Sequence, residues 1–263
     1  MTTVFDISLK MMRHVTDLLH GTATDGSTTT LEDTVNLIQG NAYFELGSLW
    51  IRSGTHQGKV FLVTEHTGNT LTFGAVTGAI AEGTRFSVAR GVFPWEQIKG
   101  AIQQSLDMTY VTGHDATLEG DGTTLEFTLP DGVQDVKEVR LEKPNSNGLD
   151  SISNHWDERL GKLVFDYGFA PVSGDIIHVY YKADHAEITG YDTEINAEIN
   201  EKWLVAQSAV NLMLWAAGMY DKKPSLMLEE RINLTMAMLK GKRPRLGSPD
   251  LRVKSGGGGY AEY

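Results

Sequence analysis

The sequence contains no cysteine, which removes disulfides, thiolate metal sites and a cysteine nucleophile together. Only seven prolines occur among 263 residues, so the chain has no Pro-rich character. No run of about 18 apolar residues exists that could span a bilayer as a helix. Positive charge is scarce: 23 Lys and Arg stand against 34 Asp and Glu, a formal charge of −11. That balance argues against a protein that grips nucleic acid over its whole surface. The opening MTTVFDISLKMMRHV is amphipathic and holds Asp6, unlike the basic and then apolar regions of a signal peptide, so cytosolic synthesis is expected. What is present is ordinary for a globular protein: 41% hydrophobic and 22% charged residues, with 28 glycines to supply turns. The length suits one large domain or two small ones.

Apolar periodicity separates helical stretches from two turn-rich regions with strand character. Val4, Ile7, Met11, Val15 and Leu18 form one helical stripe, which predicts a helix ending near Leu19, before the Gly/Thr/Ser-rich stretch that begins at Gly21. Segments Ser48 to Arg52, Lys59 to Glu65, Thr70 to Phe73 and Thr84 to Arg90 are rich in Val, Ile, Phe, Trp and Thr. They are separated by Gly54, Gly58, Gly68-Asn69 and Gly83, the pattern of a small antiparallel sheet or barrel. Pro94 suits a first helical position, and Trp95, Ile98, Ile102 and Leu106 follow at helical spacing, with Gly113 as the stop. A second β region is expected from about Thr117 to Tyr181, with strands at Thr124 to Leu129, Val136 to Glu142, Lys162 to Tyr167 and Ile176 to Lys182. Asp192 reads as the cap of the longest helix, with Ile195, Ile199, Trp203, Ala206, Val210, Leu214 and Ala217 as its stripe to Tyr220. Trp203 and Trp215 are expected to serve bundle core and subunit contact respectively. A last helix is expected from Ser225 to Gly241 on Leu228, Ile232, Met236 and Leu239.

Four helices with one apolar stripe each must bury it somewhere. The expected fold is therefore α+β: a helical bundle from discontinuous segments (1–20, 94–113 and 190–241), β insertions at 21–93 and 114–189, and an extended basic arm at 242–263. From Lys240 to Tyr263 six basic residues face two acidic ones, a net +4 that leaves −15 for the rest. Such a cationic end, punctuated by Pro244 and Pro249 and closed by Tyr260 and Tyr263, suits a segment that orders on a partner surface, where Arg and Tyr are favoured contacts. The alternative is a solvated terminus that aids solubility.

Motifs for chemistry fare poorly. Gly54-Thr55-His56-Gln57-Gly58-Lys59 has three residues between its glycines where a phosphate loop needs four, and it leads into a strand; a hairpin turn explains it better. His155-Trp156-Asp157-Glu158 sets three acid/base groups side by side, but successive residues of an extended segment face opposite ways. Trp156 is expected to plug the β core. No nucleophile elbow, H-E-x-x-H helix or dinucleotide fingerprint is present. The adjacent Glu229 and Glu230 read as solvated charge on a helix, and Met227, Met236 and Met238 as core or interface filler.

Taken in order, the opening helix MTTVFDISLKMMRHVTDLL, the insert SLWIRSGTHQGKVFLVTEHTGNTLTF, the PWEQIKGAIQQSL helix, the insert ending GKLVFDYGFAPVSGDIIHVYYKADH and the closing helical hairpin with its basic tail resemble the head-to-tail adaptor (connector) proteins of tailed bacteriophages, including the tail tubular protein A type. The resemblance implies a structural virion protein of the head-tail neck, with no enzymatic activity, no cofactor and no metal. It implies a homo-oligomeric ring, usually of twelve copies, beneath the portal protein and around the channel for double-stranded DNA, which passes without specific binding. It also implies a tail nozzle or tube protein, and in some cases a tail fibre, on the distal face, and no membrane. The portal-docking arm would offer Lys242, Arg243, Arg245, Leu246, Leu251, Arg252, Lys254, Tyr260 and Tyr263. A second reading is a receptor- or glycan-binding virion module with Trp50, Phe61, Trp156 and Tyr180 as an aromatic platform; a third is a hydrolase using His155, Asp157 and Glu158.

Overall fold

Thr3 starts the first helix by accepting the Asp6 backbone N–H on its hydroxyl, while the Asp6 carboxylate accepts the Thr3 N–H in return. This reciprocal cap satisfies two donors that a helix end otherwise leaves open. The computed structural model of the chain describes residues 2–16, 18–144, 148–151, 155–219, 233, 235 and 236. The elements open with β1 (Thr2–Thr3) and α1 (Val4–Val15). A first β unit follows: β2 (Leu19–Thr22), β3 (Asp25–Gly26), β4 (Thr30–Glu32), β5 (Ser48–Ile51), β6 (Val60–Thr67), β7 (Thr70–Phe73) and β8 (Arg85–Val88). After α2 (Trp95–Leu106) comes a second: β9 (Val111–Glu119), β10 (Glu126–Thr128), β11 (Val136–Glu142), β12 (Leu149–Ser151), β13 (Trp156–Arg159), β14 (Lys162–Phe165) and β15 (Ile176–Ala183). The described elements close with β16 (Glu194–Ile195) and α3 (Glu201–Met219).

The first unit is one curled antiparallel sheet in the order β2-β8-β5-β6-β7-β4-β3. Leu31, Leu49, Ile51, Val63, Leu71, Phe73, Phe86 and Val88 fill its own core. The second unit holds a four-stranded sheet, β12-β11-β15-β9, and a three-stranded sheet, β10-β14-β13. Val139, Leu141, Ile177 and Val179 of the former share a core with Leu163 and Phe165 of the latter. Alternation makes this possible: in β11 and β15 these residues lie on one face, and Glu138, Arg140, Glu142, His178 and Tyr180 are left on the other.

A third core gathers the helices. Ile7, Met11 and Met12 of α1, Ile98, Ile102 and Leu106 of α2, and Leu204, Leu212 and Met213 of α3 pack together with Trp50 of β5. Burying each such side chain stabilises by roughly 1.5–3 kcal/mol. Helix α3 is apolar on most sides, as a helix covered by neighbours must be. A polar link crosses between α2 and α3: the Ser208 hydroxyl and the Asn211 amide both donate to Ser105 Oγ at 3.0 Å, and Ser105 donates to the Ala101 carbonyl at 2.8 Å.

The expectation of a helical bundle carrying β insertions is overturned. Sixteen strands and three helices make up the described residues, and the fold is mostly β-sheet. The physical reason is that each β unit buries its own apolar face in its own core, so the sheets are independent masses of the fold. Helix lengths also shrink. Leu19, expected in α1, pairs with Val88 in β2. Asp192 caps nothing helical: Glu194 and Ile195 pair with Thr3 and Thr2, and Asn200 accepts the Trp203 N–H to begin α3. Gly113, expected to stop a helix, sits inside β9 against Tyr181. Of the helix expected over 225–241, Asn233, Thr235 and Met236 are described and are helical, Thr235 buried and Met236, assigned to the apolar stripe, half exposed; the rest lies outside the described residues.

Candidate functional site

The nine residues expected to form a docking arm, Lys242, Arg243, Arg245, Leu246, Leu251, Arg252, Lys254, Tyr260 and Tyr263, lie outside the described residues, as do Glu229 and Glu230.

The four aromatics expected as a platform do not form one. Trp50 is wholly buried, and its indole donates to Ser8 Oγ at 2.9 Å. Phe61 stacks on Phe73 within the first β unit. Trp156 packs against the core of the second unit, and Tyr180 lies on the outer face of its four-stranded sheet. The His155-Trp156-Asp157-Glu158 cluster is likewise dispersed. The His155 ring stacks on Phe169 at 3.5 Å, Asp157 pairs with Arg159, and Glu158 accepts the backbone N–H groups of Asp135 and Val136. The carboxylates are thus spent on structure. Gly54 and Gly58 take the positive φ values of +83° and +86° that a turn needs, in the connection between the paired β5 and β6. His56 within this turn is buried, with Nε2 3.0 Å from the Gly78 carbonyl.

A groove beside the start of α3 is lined by Thr2, Ile7, Val111, His185, Asn200 and Lys202. Several of its polar groups are engaged. His185 uses Nδ1 on the Ala186 carbonyl and Nε2 on the Asn196 N–H, and nearby Glu201 holds Lys10 at 2.8 Å and the Thr2 hydroxyl at 3.3 Å.

One constellation gathers chemistry that no local motif announces. On the outer face of β11, β15 and β9, His114 Nε2 is 2.9 Å from His178 Nδ1, and His178 Nε2 is 2.8 Å from a Glu142 carboxylate oxygen. Ionised Glu142 can only accept, so His178 Nε2 carries a proton. In neutral His178 the Nδ1 lone pair then accepts from the Nε2–H of His114. The His114 ring lies edge to edge and nearly coplanar with that of His178, centroids 5.1 Å apart, and stacks on Tyr180 at 4.8 Å. The Arg140 guanidinium lies 5.2 Å from the Tyr180 ring centre and is gripped by both oxygens of Glu138 at 2.9 and 3.1 Å. The hydrogen bonding and charge of Glu138 raise the Arg140 pKa further. The half-exposed apolar side chains of Leu149 and Ile176 flank Glu142 across the sheet. The face therefore offers two directed imidazoles held by a carboxylate beside a cation-capped aromatic.

Reading β11 and β15 as strands places Glu138, Arg140 and Glu142 on one face and His178 and Tyr180 on another. Only the register of β9 brings His114 to them. Compared with known proteins, the sequence matches no protein family and no curated protein.

Proposed function

We propose that this chain is a structural protein of a tailed-bacteriophage neck. It acts as a head-to-tail adaptor that forms a ring between portal and tail around the DNA channel, docks on the portal through residues 242–263 and performs no catalytic step. One observation carries the reading. Helices from residues 4–15, 95–106 and 201–219 meet in a single core, and the chain between them leaves as two antiparallel β units. That is part of the element order on which the resemblance to adaptors rests; the closing hairpin and the basic tail lie outside the described residues. Closed rotational symmetry needs two different contact faces per subunit, and helix sides such as that bearing the exposed Leu214 on α3 are suited to supply one. A body of strongly negative charge would let DNA phosphates pass without adhering.

The test is co-assembly of the purified chain with portal rings, imaged by cryo-EM beside a chain that ends at Lys240. The expected result is a ring on the portal with the full chain and its loss with the shortened one. Equal binding by both chains overturns the docking role, and no ring on the portal with the full chain overturns the adaptor reading.

A further inference from the structure

We infer that His114 and His178 form a binding site for a borderline transition-metal dication, with Cu²⁺ favoured over Zn²⁺, on the outer face of the four-stranded sheet. The site is a juxtaposition of strands: His114 comes from β9 and His178 from the neighbouring β15. Both rings already aim a nitrogen into the same space, Nε2 of one and Nδ1 of the other, 2.9 Å apart. Two nitrogens bound at about 2.0–2.1 Å in cis positions of a square arrangement stand about 2.9 Å apart. The rings must therefore turn toward a common ion but need not separate. Tetrahedral coordination requires about 3.3 Å between them, and hence a wider spread.

Glu142 supplies the outer support. By accepting the Nε2–H of His178 it leaves Nδ1 as the lone-pair nitrogen, the carboxylate–histidine–metal arrangement that fixes the tautomer and raises ligand basicity. The His114 proton on Nε2 moves to Nδ1 of the same ring as the metal–nitrogen bond forms, so neutral imidazoles bind without net proton release. Arg140, opposite His178 in the ladder, is balanced by Glu138, and the net charge of −11 favours a dication. No group of three His, Asp or Glu side chains poised for a metal occurs among the described residues. Water or an anion would complete the shell from the side of the exposed His114, the His178 side chain being only 12% exposed.

The proposal is tested on the full-length protein with CuCl₂, NiCl₂ and ZnCl₂ added separately in a non-chelating buffer. Calorimetry follows binding, and visible absorption follows the Cu²⁺ d–d band. One equivalent of Cu²⁺ with a nitrogen-ligand band is expected, binding more tightly than Zn²⁺. His114→Phe, which keeps a ring for stacking on Tyr180, and His178→Phe should each abolish that equivalent. Glu142→Gln should retain it with about 10–100-fold weaker affinity. Unfolding of each variant without metal checks that the fold is kept. Copper that binds equally to the His114→Phe/His178→Phe double variant, or no binding by the parent, overturns the site; tighter Zn²⁺ than Cu²⁺ binding overturns the square arrangement.

Discussion

The Trp50 indole N–H donates to the Ser8 hydroxyl at 2.9 Å, and Ser8 in turn donates to the Phe5 carbonyl at 2.8 Å. Both side chains are fully buried. This one chain of donors ties β5 of the first β unit to α1 of the helical core. Trp50→Phe should keep most of the packing, lose the bond and cost about 1–2 kcal/mol, whereas Trp50→Ala should cost about 3–5 kcal/mol. Urea unfolding of the two variants separates bond from packing; a Trp50→Phe variant as stable as the parent would mean that the hydrogen bond contributes nothing.

Ser105 is the shared acceptor between α2 and α3. Ser105→Ala strands the buried Ser208 hydroxyl and part of the Asn211 amide, and should destabilise by about 1–3 kcal/mol. Adding Ser208→Ala removes the stranded donor, so the double variant should be less destabilised than the sum of the singles. A coupling of about 0.5 kcal/mol or more in a denaturant double-mutant cycle is the expected outcome.

Histidine burial predicts acid sensitivity near neutrality. Burial lowers the pKa of His66 in β6 below the ordinary histidine value, against a smaller opposing pull from the backbone of Gly68 and Gly40. His20 is lowered by burial first, and then by Arg52 and Arg13. Such a histidine binds its proton more readily in the unfolded chain. Stability is therefore whole above a pH of about 6.5 and is lost as pH falls through that value toward the lowered folded one. His66→Phe should flatten the urea midpoint between pH 7 and pH 5. Acid loss at much lower pH has another source in the carboxylates, including Asp121, which the hydroxyls and backbone N–H groups of Thr124 and Thr123 hold well below the usual carboxylate range.

Two glycines make an internal control. A Cβ on Gly91 would sit 1.8 Å from the Glu45 carbonyl oxygen, so Gly91→Ala must displace backbone and should cost about 3 kcal/mol. Gly100, inside α2, has nothing within 4 Å of such a Cβ. Gly100→Ala should stabilise by about 0.5–1 kcal/mol, because alanine is the better helix former. Thermal midpoints should move in opposite directions.

Legibility followed locality. Thr70–Phe73 and Val136–Glu142 were readable to their ends, because β-branched alternation and turn residues frame them. The start of α1 was readable for the same local reason, but its end was not: Leu18 fits the helical stripe and Leu19 fits a strand equally well, and pairing with Val88 decides. Ile195 and Ile199 also lie on a helical stripe, yet Thr2 and Thr3 draw residues 194 and 195 into β16. The stretch VTGHDATLE carries Gly113 and Asp115, poor strand formers, and becomes β9 only because β15 offers it an edge. His114 consequently fell just past the expected helix stop at Gly113, in the second β insertion but outside every expected strand. Its position beside His178 depends on register, which no residue encodes alone.

The pairing of Thr2 with Ile195 sets a timetable for a chain that leaves the ribosome from its N-terminus. Every strand partner of the first sheet lies between residues 19 and 88, and every partner of the next two between 111 and 183. Those sheets can form while translation continues. Helix α1 can rest on Trp50 and α2, but the part of its apolar side that α3 covers must wait until α3 has been synthesised, so the nascent protein passes through a stage with finished sheets and a half-covered first helix, the period in which a chaperone would have most to hold.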